Sequence, residues 1–409
     1  MMNITEISGG ITSPLGFKAA GVHCGLRKNR SRLDLAMIYS DVRCSAAGVF
    51  TTNKVFAAPV GVDKKQLEDG YAQAIVINSG NANTCNSDGY EKAYMTVSKA
   101  AEVLGISEGD VLVSSTGVIG VPLPIKPILD GIPMLKSKLG TDEQSGENAA
   151  VAIMTTDTKK KEIAVKYEHA GHEIKLGGIC KGSGMIQPHM ATMLAYVTTD
   201  AAISPELLKK ALKKCADSTF NMVSVDGDMS TNDTLIAMAS GLSGTAEIDE
   251  EGEAYDKFVE ALHYVCLYLA KSIAADGEGA TKLIECKVKG AKSEEDAKIL
   301  AKSVIKSPLV KCMIFGSDAN WGRVLCALGY AGPDIDTEHI SCVFRSSAGE
   351  IEVCRNGMDC GFDEDEAKKI LTRNYITIEC SVGDGIGEAT AWGCDLSYEY
   401  VRINGDYRS

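Results

Sequence analysis

The sequence predicts a layered α/β protein built on mixed sheets. Three observations carry this. Short apolar runs of strand character, such as AIVI at 74–77 and DVLV at 110–113, alternate with longer stretches of helical period. The two kinds follow no strict β-α-β repeat, so neither an all-parallel nor an all-β fold fits. The balance of 45% hydrophobic and 24% charged residues over 409 positions is that of a globular chain, long enough for one large domain or two medium ones.

From the N-terminus, residues 47–50 and 57–62 alternate or run apolar and read as strands. The strand at 74–77 ends in NSGNANT, and a helix over 89–104 follows. The strand at 110–113 ends in SSTGVIG. Two strands thus deliver small polar loops, where sites gather in α/β folds. Residues 122–136 carry Pro122, Pro124, Pro127 and Pro133 and read as a loop with short helical pieces. Residues 162–167 and 172–176 alternate as a hairpin, 177–188 form a Gly-rich approach, and ATMLAYV at 191–197 reads as a strand. Ser204-Pro205-Glu206 is a helix start, with a cap, a proline at the first helical position and an acid in the first turn. Leu208, Ala211, Leu212 and Cys215 share one face behind it. A long helix over 253–275 carries Phe258, Leu262, Cys266 and Leu269 on one stripe, and Ser293-Glu294-Glu295-Asp296 opens another helix as a capping box. Further strands are expected at 234–238, 282–288, 309–314, 341–344 and 375–381.

Composition narrows the function. A formal charge of -13 repels phosphate backbones, so no nucleic-acid partner is expected. The basic run Lys159–Lys161 is too short for such a patch and reads as a solvated face. The 14 cysteines are scattered, form no Cys-x-x-Cys pair and sit mostly in apolar runs, as Cys266 and Cys326 do. They read as small buried hydrophobes of a reducing compartment. The 6 histidines stand at no ligand spacing from a cysteine, so neither a metal nor another cofactor is expected. The opening MMNITEISGG lacks the basic start and apolar core of a signal peptide, and no run of 18 apolar residues occurs. The expectation is a soluble cytoplasmic protein with no membrane span.

The chemistry concentrates in KGSGMIQPHMATMLAYVTTDA, residues 181–201. A flexible Gly-Ser-Gly precedes a proline, and the small residue Ala191 precedes Thr192, which opens an apolar run. Such a junction suits self-cleavage: the Thr192 hydroxyl attacks the preceding carbonyl, and hydrolysis of the ester frees the Thr192 α-amine. That amine titrates near pH 8 and serves as base for its own hydroxyl, so neither histidine nor cysteine is required. Threonine is also common at the start of a strand, and spacing alone favours that reading. In SSTGVIG, Thr116 and Gly117 offer a hydroxyl and an N–H as a candidate oxyanion hole, though a plain strand-to-loop turn fits as well. VSVDGDMSTNDT at 223–234 looks like a calcium loop but lacks the closing glutamate, and reads as a hydrogen-bonded loop. Glu278 lies between two glycines, as an exposed carboxylate on a flexible turn. Arg323 in GSDANWGRVL is a candidate carboxylate fork or an internal salt-bridge partner.

The run 181–201 closely resembles the cleavage and nucleophile motif of the ornithine acetyltransferase (glutamate N-acetyltransferase) family of arginine biosynthesis. GFKAAGVHCGLRKNRSRLDLAMI, AAGVFTTNKVFAAPV, VINSGNANTCN, SSTGVIG, AIMTTDT, FNMVSVDGDMSTNDT, GSDANWGR and INGDYRS resemble family blocks in the family order, over nearly the whole chain. The resemblance implies a precursor cut between Ala191 and Thr192 into an α chain, 1–191, and a β chain, 192–409. It implies Thr192 as nucleophile, Thr116 and Gly117 as oxyanion hole, and Thr158, Lys181, Thr192, Glu278, Asn404 and Ser409 as substrate contacts. The reaction implied is ping-pong transfer of acetyl from N-acetylornithine to glutamate through acetyl-Thr192. Acetyl-CoA as a second donor stays open, since some members use it and others do not. The fold implied is the layered α/β sandwich shared with certain self-processing aminopeptidases, and the assembly a dimer of αβ units, a heterotetramer. The alternatives are a self-processing aminopeptidase or amidohydrolase with water as acceptor, and an uncut amino-acid-binding protein. The sequence departs from the family pattern at His189, Met229, Ala319 and Gly405, none of them a proposed catalytic group.

Overall fold

The computed structural model describes residues 3–187 and 193–406. In chain order the elements are Thr5–Ile7 (β1), Phe17–Val22 (β2), Leu35–Phe50 (β3), Ala58–Gln66 (α1), Tyr71–Asn81 (β4), Gly89–Leu104 (α2), Val111–Val118 (β5), Ile125–Lys138 (α3), Glu143–Ala152 (α4), Lys161–His169 (β6), His172–Lys181 (β7) and Leu194–Thr199 (β8). There follow Pro205–Ser218 (α5), Val223–Ser224 (β9), Thr234–Ala239 (β10), Glu253–Ala275 (α6), Leu283–Ala291 (β11), Glu294–Lys306 (α7), Pro308–Gly316 (α8) and Trp321–Gly329 (α9). The last are Ser341–Ser346 (β12), Gly349–Arg355 (β13), Met358–Asp359 (β14), Glu364–Leu371 (α10), Tyr375–Ser381 (β15), Gly387–Cys394 (β16) and Tyr398–Gly405 (α11). The described residues form two compact units. One holds the stretches up to 182, 193–221 and 229–270; the other holds 183–187, 222–228 and 271–406.

The first unit is a sheet of 9 strands in the order β1-β6-β7-β8-β10-β3-β4-β5, with β2 beside β3. Apolar side chains on β4 alternate between two cores. Ala74 and Val76 join Val62, Ala93, Val97, Ile128 and Ile132 from α1, α2 and α3. Ile75 and Ile77 join Ala149, Ala150 and Ile153 at α4. Because both faces are covered, the strand reads as a continuous apolar run rather than as an alternating one. Burial of each Ile or Val contributes about 1.5–3 kcal/mol. β3 spans 16 residues and serves two neighbourhoods: 35–45 pair with β4, and 45–50 with β10. An irregularity between Tyr39 and Cys44 bends it. α6 is long and apolar enough to cross a membrane by length and composition alone, yet Phe258, Leu262, Cys266 and Leu269 have no exposed surface. It is a core helix, and Gly178 of β7 leaves the space that Val265 and Leu269 fill.

The second unit is a sheet of 7 strands in the order β14-β13-β12-β15-β11-β16-β9. α7 packs on β11 and β16, and α10 on β12 and β13. Both sheets mix parallel and antiparallel pairs, as the absence of a β-α-β repeat predicts.

Several local expectations are corrected. Residues 57–62 open helix α1 instead of a strand, with Pro59 in its first turn. Residues 125–138 form one helix, α3, that holds Pro133 inside it. Residues 309–314 lie in helix α8, where Ser307 caps and Pro308 begins the first turn, the same signal read correctly at Ser204-Pro205. The polar segment 114–117 belongs to strand β5 itself and not to a loop after it. Cys326 is exposed, whereas Lys161 is buried in an ion pair with Asp157 at 2.6 Å. Arg323 opens α9 and donates to the Leu309 carbonyl at 3.0 Å, a structural contact.

Candidate active site

In the first unit the site begins where β4 and β5 run parallel, with Ser79 beside Thr116 and Gly80 beside Gly117. Gly117 has φ +133°, and a Cβ there would stand 2.3 Å from the Gly80 carbonyl carbon and 2.5 Å from the Asn81 nitrogen. Only glycine allows this approach. Thr116 is buried. The strand ends are fixed by side-chain amides. Ser115 Oγ donates to Asn78 Oδ1 at 2.6 Å, and Asn78 Nδ2 donates to the Asn81 carbonyl at 2.9 Å. Asn232 Nδ2 donates to the Ser115 carbonyl at 2.8 Å and to the Ala82 carbonyl at 2.7 Å. A hydroxyl and an N–H next to such a clamp are held in place before any substrate arrives, which is what stabilisation of a developing oxyanion requires.

Asn232 is followed by Asp233, and the pair links two distant segments. While Asn232 holds the Ser115 carbonyl, Asp233 Oδ1 accepts the Met193 N–H at 3.1 Å. The residue next to Thr116 and the residue next to Thr192 are thereby tied to adjacent positions of one chain. The sheet register agrees, since Leu194 lies between Lys181 on β7 and Thr234 on β10. Asp233 has no exposed surface. Burial pushes its carboxyl well above the ordinary carboxylate range, against the Met193 N–H, the Thr51 and Ser230 hydroxyls and the Lys181 charge.

Lys181 ends β7 and is buried. Near it Asp157 accepts from Lys161 Nζ at 2.6 Å, from the Gly182 N–H at 2.8 Å and from the Thr155 N–H at 2.9 Å. Burial alone would raise this carboxyl, but the Lys181 and Lys161 charges and these hydrogen bonds hold it well below the usual range. Asp157 therefore stays ionised and fixes the turn from which the exposed Thr158 projects.

In the second unit Glu278 is buried, contrary to the exposed carboxylate expected from its flanking glycines. The glycines serve close approach instead. A Cβ on Gly279, at φ +71°, would meet the Tyr400 nitrogen of α11 at 2.6 Å. A Cβ on Gly184 would lie 2.4 Å from the Glu278 carboxyl carbon. Glu278 Oε2 accepts from Asn404 Nδ2 on α11 at 2.8 Å, so two of the predicted contacts do meet. The segment 183–187 that approaches the junction is anchored here. Asp226 accepts the Met185 N–H at 2.6 Å and the Ile186 N–H at 2.8 Å, and Ser183 Oγ donates to the Asp276 carbonyl at 2.7 Å.

Ala191, Thr192 and Ser409, expected as cleavage site, nucleophile and substrate contact, lie outside the described residues, as does His189. Among the described residues no group of three or more His, Cys, Asp or Glu side chains forms a metal-ligand set. Sequence reading missed Asp157, Asp226, Asn232 and Asp233 as site-building residues. The acid- and Asn-rich run 223–234 signalled an ordered loop, but nothing in it revealed which backbone groups it binds.

The chain is similar over nearly its whole length to known proteins. The sequence profile of the ArgJ family matches residues 18–409. The arginine biosynthesis bifunctional protein ArgJ of Caldanaerobacter subterraneus subsp. tengcongensis is 51% identical over 404 residues, covering 98% of this chain and 99% of its own. ArgJ 1 of Clostridium acetobutylicum, also named an arginine biosynthesis bifunctional protein, is 51% identical over 401 residues, covering 98% and 97%. A crystal structure of the arginine biosynthesis bifunctional protein argJ from Bacillus halodurans is 44% identical with a TM-score of 0.50, over 52% of this chain and 98% of that one.

Proposed function

We infer the mechanism from one premise: the chain belongs to the ArgJ family, and it is an arginine-biosynthesis acyltransferase that moves an acetyl group from N-acetylornithine to glutamate. The precursor cuts itself between Ala191 and Thr192, and the freed Thr192 is the nucleophile. N-acetylornithine presents its carbonyl oxygen to the Thr116 hydroxyl and the Gly117 N–H, each worth about 3 kcal/mol to the oxyanion. The Thr192 α-amine takes the hydroxyl proton, ornithine leaves, and acetyl-Thr192 passes its acetyl to glutamate. Thr158, Lys181, Glu278, Asn404 and Ser409 contact substrate. Glu278, held by Asn404, is suited to meet the substrate's amine, and Lys181 a carboxylate. The word bifunctional in the relatives' names supports a second activity, and acetyl-CoA as a further acetyl donor for glutamate is the candidate to assay. The working form is a dimer of αβ units, a soluble enzyme of the cytoplasm acting on small molecules.

The observation that carries the reading is the Asn232-Asp233 pair, which ties the Thr116–Gly117 strand to the chain at Met193. The solved Bacillus halodurans chain supports the cut. It matches over 98% of itself yet spans 52% of this sequence, the extent of one cleavage product. Intact mass under denaturing conditions with N-terminal sequencing tests the scheme. Two fragments, the second starting at Thr192, are expected, and Thr192→Ala should give one uncut chain with no exchange of labelled acetyl between ornithine and glutamate. Exchange by that variant would refute the mechanism. Acetyl release to water without glutamate would favour the amidohydrolase alternative.

A further inference from the structure

Acidic residues outnumber basic ones in this chain, 55 to 42, and surface lysines pair with carboxylates, as Lys160 does with Glu147 and Glu162 and Lys166 with Glu173. The loop between β2 and β3 departs from this pattern. It carries Arg27, Lys28, Arg30 and Arg32. Lys28, Arg30 and Arg32 are exposed, and none of them pairs with a carboxylate among the described residues. The acid that closes the loop, Asp34, is buried and turned inward. It accepts the Cys24 N–H at 2.6 Å and the Arg27 N–H at 2.9 Å, and His23 Nδ1 stands 3.1 Å away. The loop is fixed at both ends. Arg27 Nη2 donates to the Met154 carbonyl at 2.5 Å and Arg32 Nη2 to the Thr155 carbonyl at 3.0 Å, while Asn29 Oδ1 accepts the Ser31 N–H at 3.0 Å between them. It is also anchored on the strand beside the proposed oxyanion donors. Ser79 N–H donates to the Asp34 carbonyl at 2.9 Å. A Cβ on Gly80, the residue against which Gly117 closes, would stand 3.3 Å from Arg27 Cγ. Arg30 Cα lies within about 11 Å of Arg27 Cα by chain length alone.

We propose that the loop 27–32 binds the phosphates of acetyl-CoA while its thioester reaches the Thr116–Gly117 strand. The proposal rests on the acyl-transfer reading, in which acetyl-CoA is the candidate second donor. Neighbouring cations held in place without acids repel one another, and an anionic ligand relieves that repulsion. The net charge of -13 holds phosphates off the protein as a whole, so a fixed cationic loop gives such a ligand a defined place to land. Guanidinium forks match phosphate oxygens, and a lysine adds a point charge. The loop lies beside the proposed oxyanion donors and not on them, which suits a donor whose phosphates are separated from its acetyl group by a pantetheine arm. N-acetylornithine has no phosphate and no use for this loop. In the step served, the thioester C–S bond breaks and the acetyl carbon passes to the neutral amine of glutamate. The sulfur leaves as the thiol and takes one amine proton.

The test is the double variant Lys28→Ala, Arg30→Ala, two exposed positions whose truncation costs the fold little. KM and kcat are measured in parent and variant for three donors, each with glutamate as acceptor: acetyl-CoA, S-acetylpantetheine, which is the same thioester without phosphates, and N-acetylornithine. The variant's KM for acetyl-CoA should rise about tenfold, with kcat within about twofold, and its values for the other two donors should match the parent's. Added salt should raise the parent's KM for acetyl-CoA more than the variant's. An unchanged KM for acetyl-CoA, or an equal rise for all three donors, overturns the site. A parent that transfers acetyl from N-acetylornithine but takes none from acetyl-CoA also overturns it and leaves the acyl-transfer reading standing. A parent that transfers acetyl from no donor overturns that reading, and the site with it. Should the variant fail to fold, the parent alone decides. Its KM for acetyl-CoA should lie below that for S-acetylpantetheine, with a gap that narrows as salt is added, and a gap that salt does not change overturns the proposal.

Discussion

Gly117 carries two constraints at once, a φ of +133° and the Gly80 carbonyl carbon 2.3 Å from where its Cβ would be. Any side chain there must push β4 and β5 apart at the two proposed oxyanion donors. Gly117→Ala is expected to cost at least about 2 kcal/mol of stability from backbone strain alone and to lower acetyl transfer about a hundredfold or more. Gly120 is the control: its φ is +75°, but nothing lies within 4 Å of its Cβ position. Gly120→Ala should cost about 1–2 kcal/mol and leave transfer near the parent rate. Thermal unfolding and the acetyl-exchange assay read both, and equal activity losses would show that the contact with Gly80 is irrelevant. Thr116 and Gly117 stood out in the sequence because small polar residues ended an apolar run. Asp233 did not stand out, because its meaning lies in a backbone N–H 40 residues away.

At the scale of elements, local chemistry was legible wherever caps and periodicity agreed. α2 and α6 span the residues expected, and Ser204 and Ser293 cap α5 and α7 as read. α3 was obscured by its prolines and α8 by an apolar run whose length suits a strand equally well. Tertiary packing decided those cases. An element-level prediction concerns β11, where Glu285 is buried beneath Tyr375 and Trp392. It accepts from Tyr375 Oη at 2.7 Å and Trp392 Nε1 at 2.8 Å, and pairs with Lys271 at 3.2 Å and Lys287 at 3.1 Å. Burial would raise its carboxyl, but these hydrogen bonds and charges hold it at about 2, against an ordinary 4.5. A lowered carboxyl stabilises the fold fully above its unfolded value, and the stabilisation fades as pH falls toward its folded value. It contributes at most about 3 kcal/mol, lost as the pH drops from the ordinary carboxylate range toward 2. Glu285→Gln should be less stable than the parent at neutral pH, and the gap in denaturation midpoint should close as the solution is acidified. A gap independent of pH would sink this account.

At the scale of the whole molecule, the proposed α and β chains are not separate bodies. In the first sheet β8 and β10, which follow residue 192, lie between β7 and β3, which precede it. Lys181 pairs with Leu194 on one side, and Phe50 with Thr234 on the other. A cut before Thr192 therefore breaks a peptide bond without breaking either ladder. The fragments should elute together by size under native conditions and part only in denaturant; separation in plain buffer would contradict this sheet order. The mixed α/β class, most helices and strands and the ordered blocks of the family were legible in the chain, as were the candidate site residues Thr116 and Gly117. Those follow from short-range periodicity, capping and the order of motifs, which a linear chain displays directly. The burial of Glu278 against Asn404, the charge held on Asp157 near Lys181, and the link that Asn232 and Asp233 make between the Thr116 strand and Met193 emerge from the folded chain alone. Those contacts join groups far apart along the chain, and a linear sequence does not encode which distant groups the fold brings together.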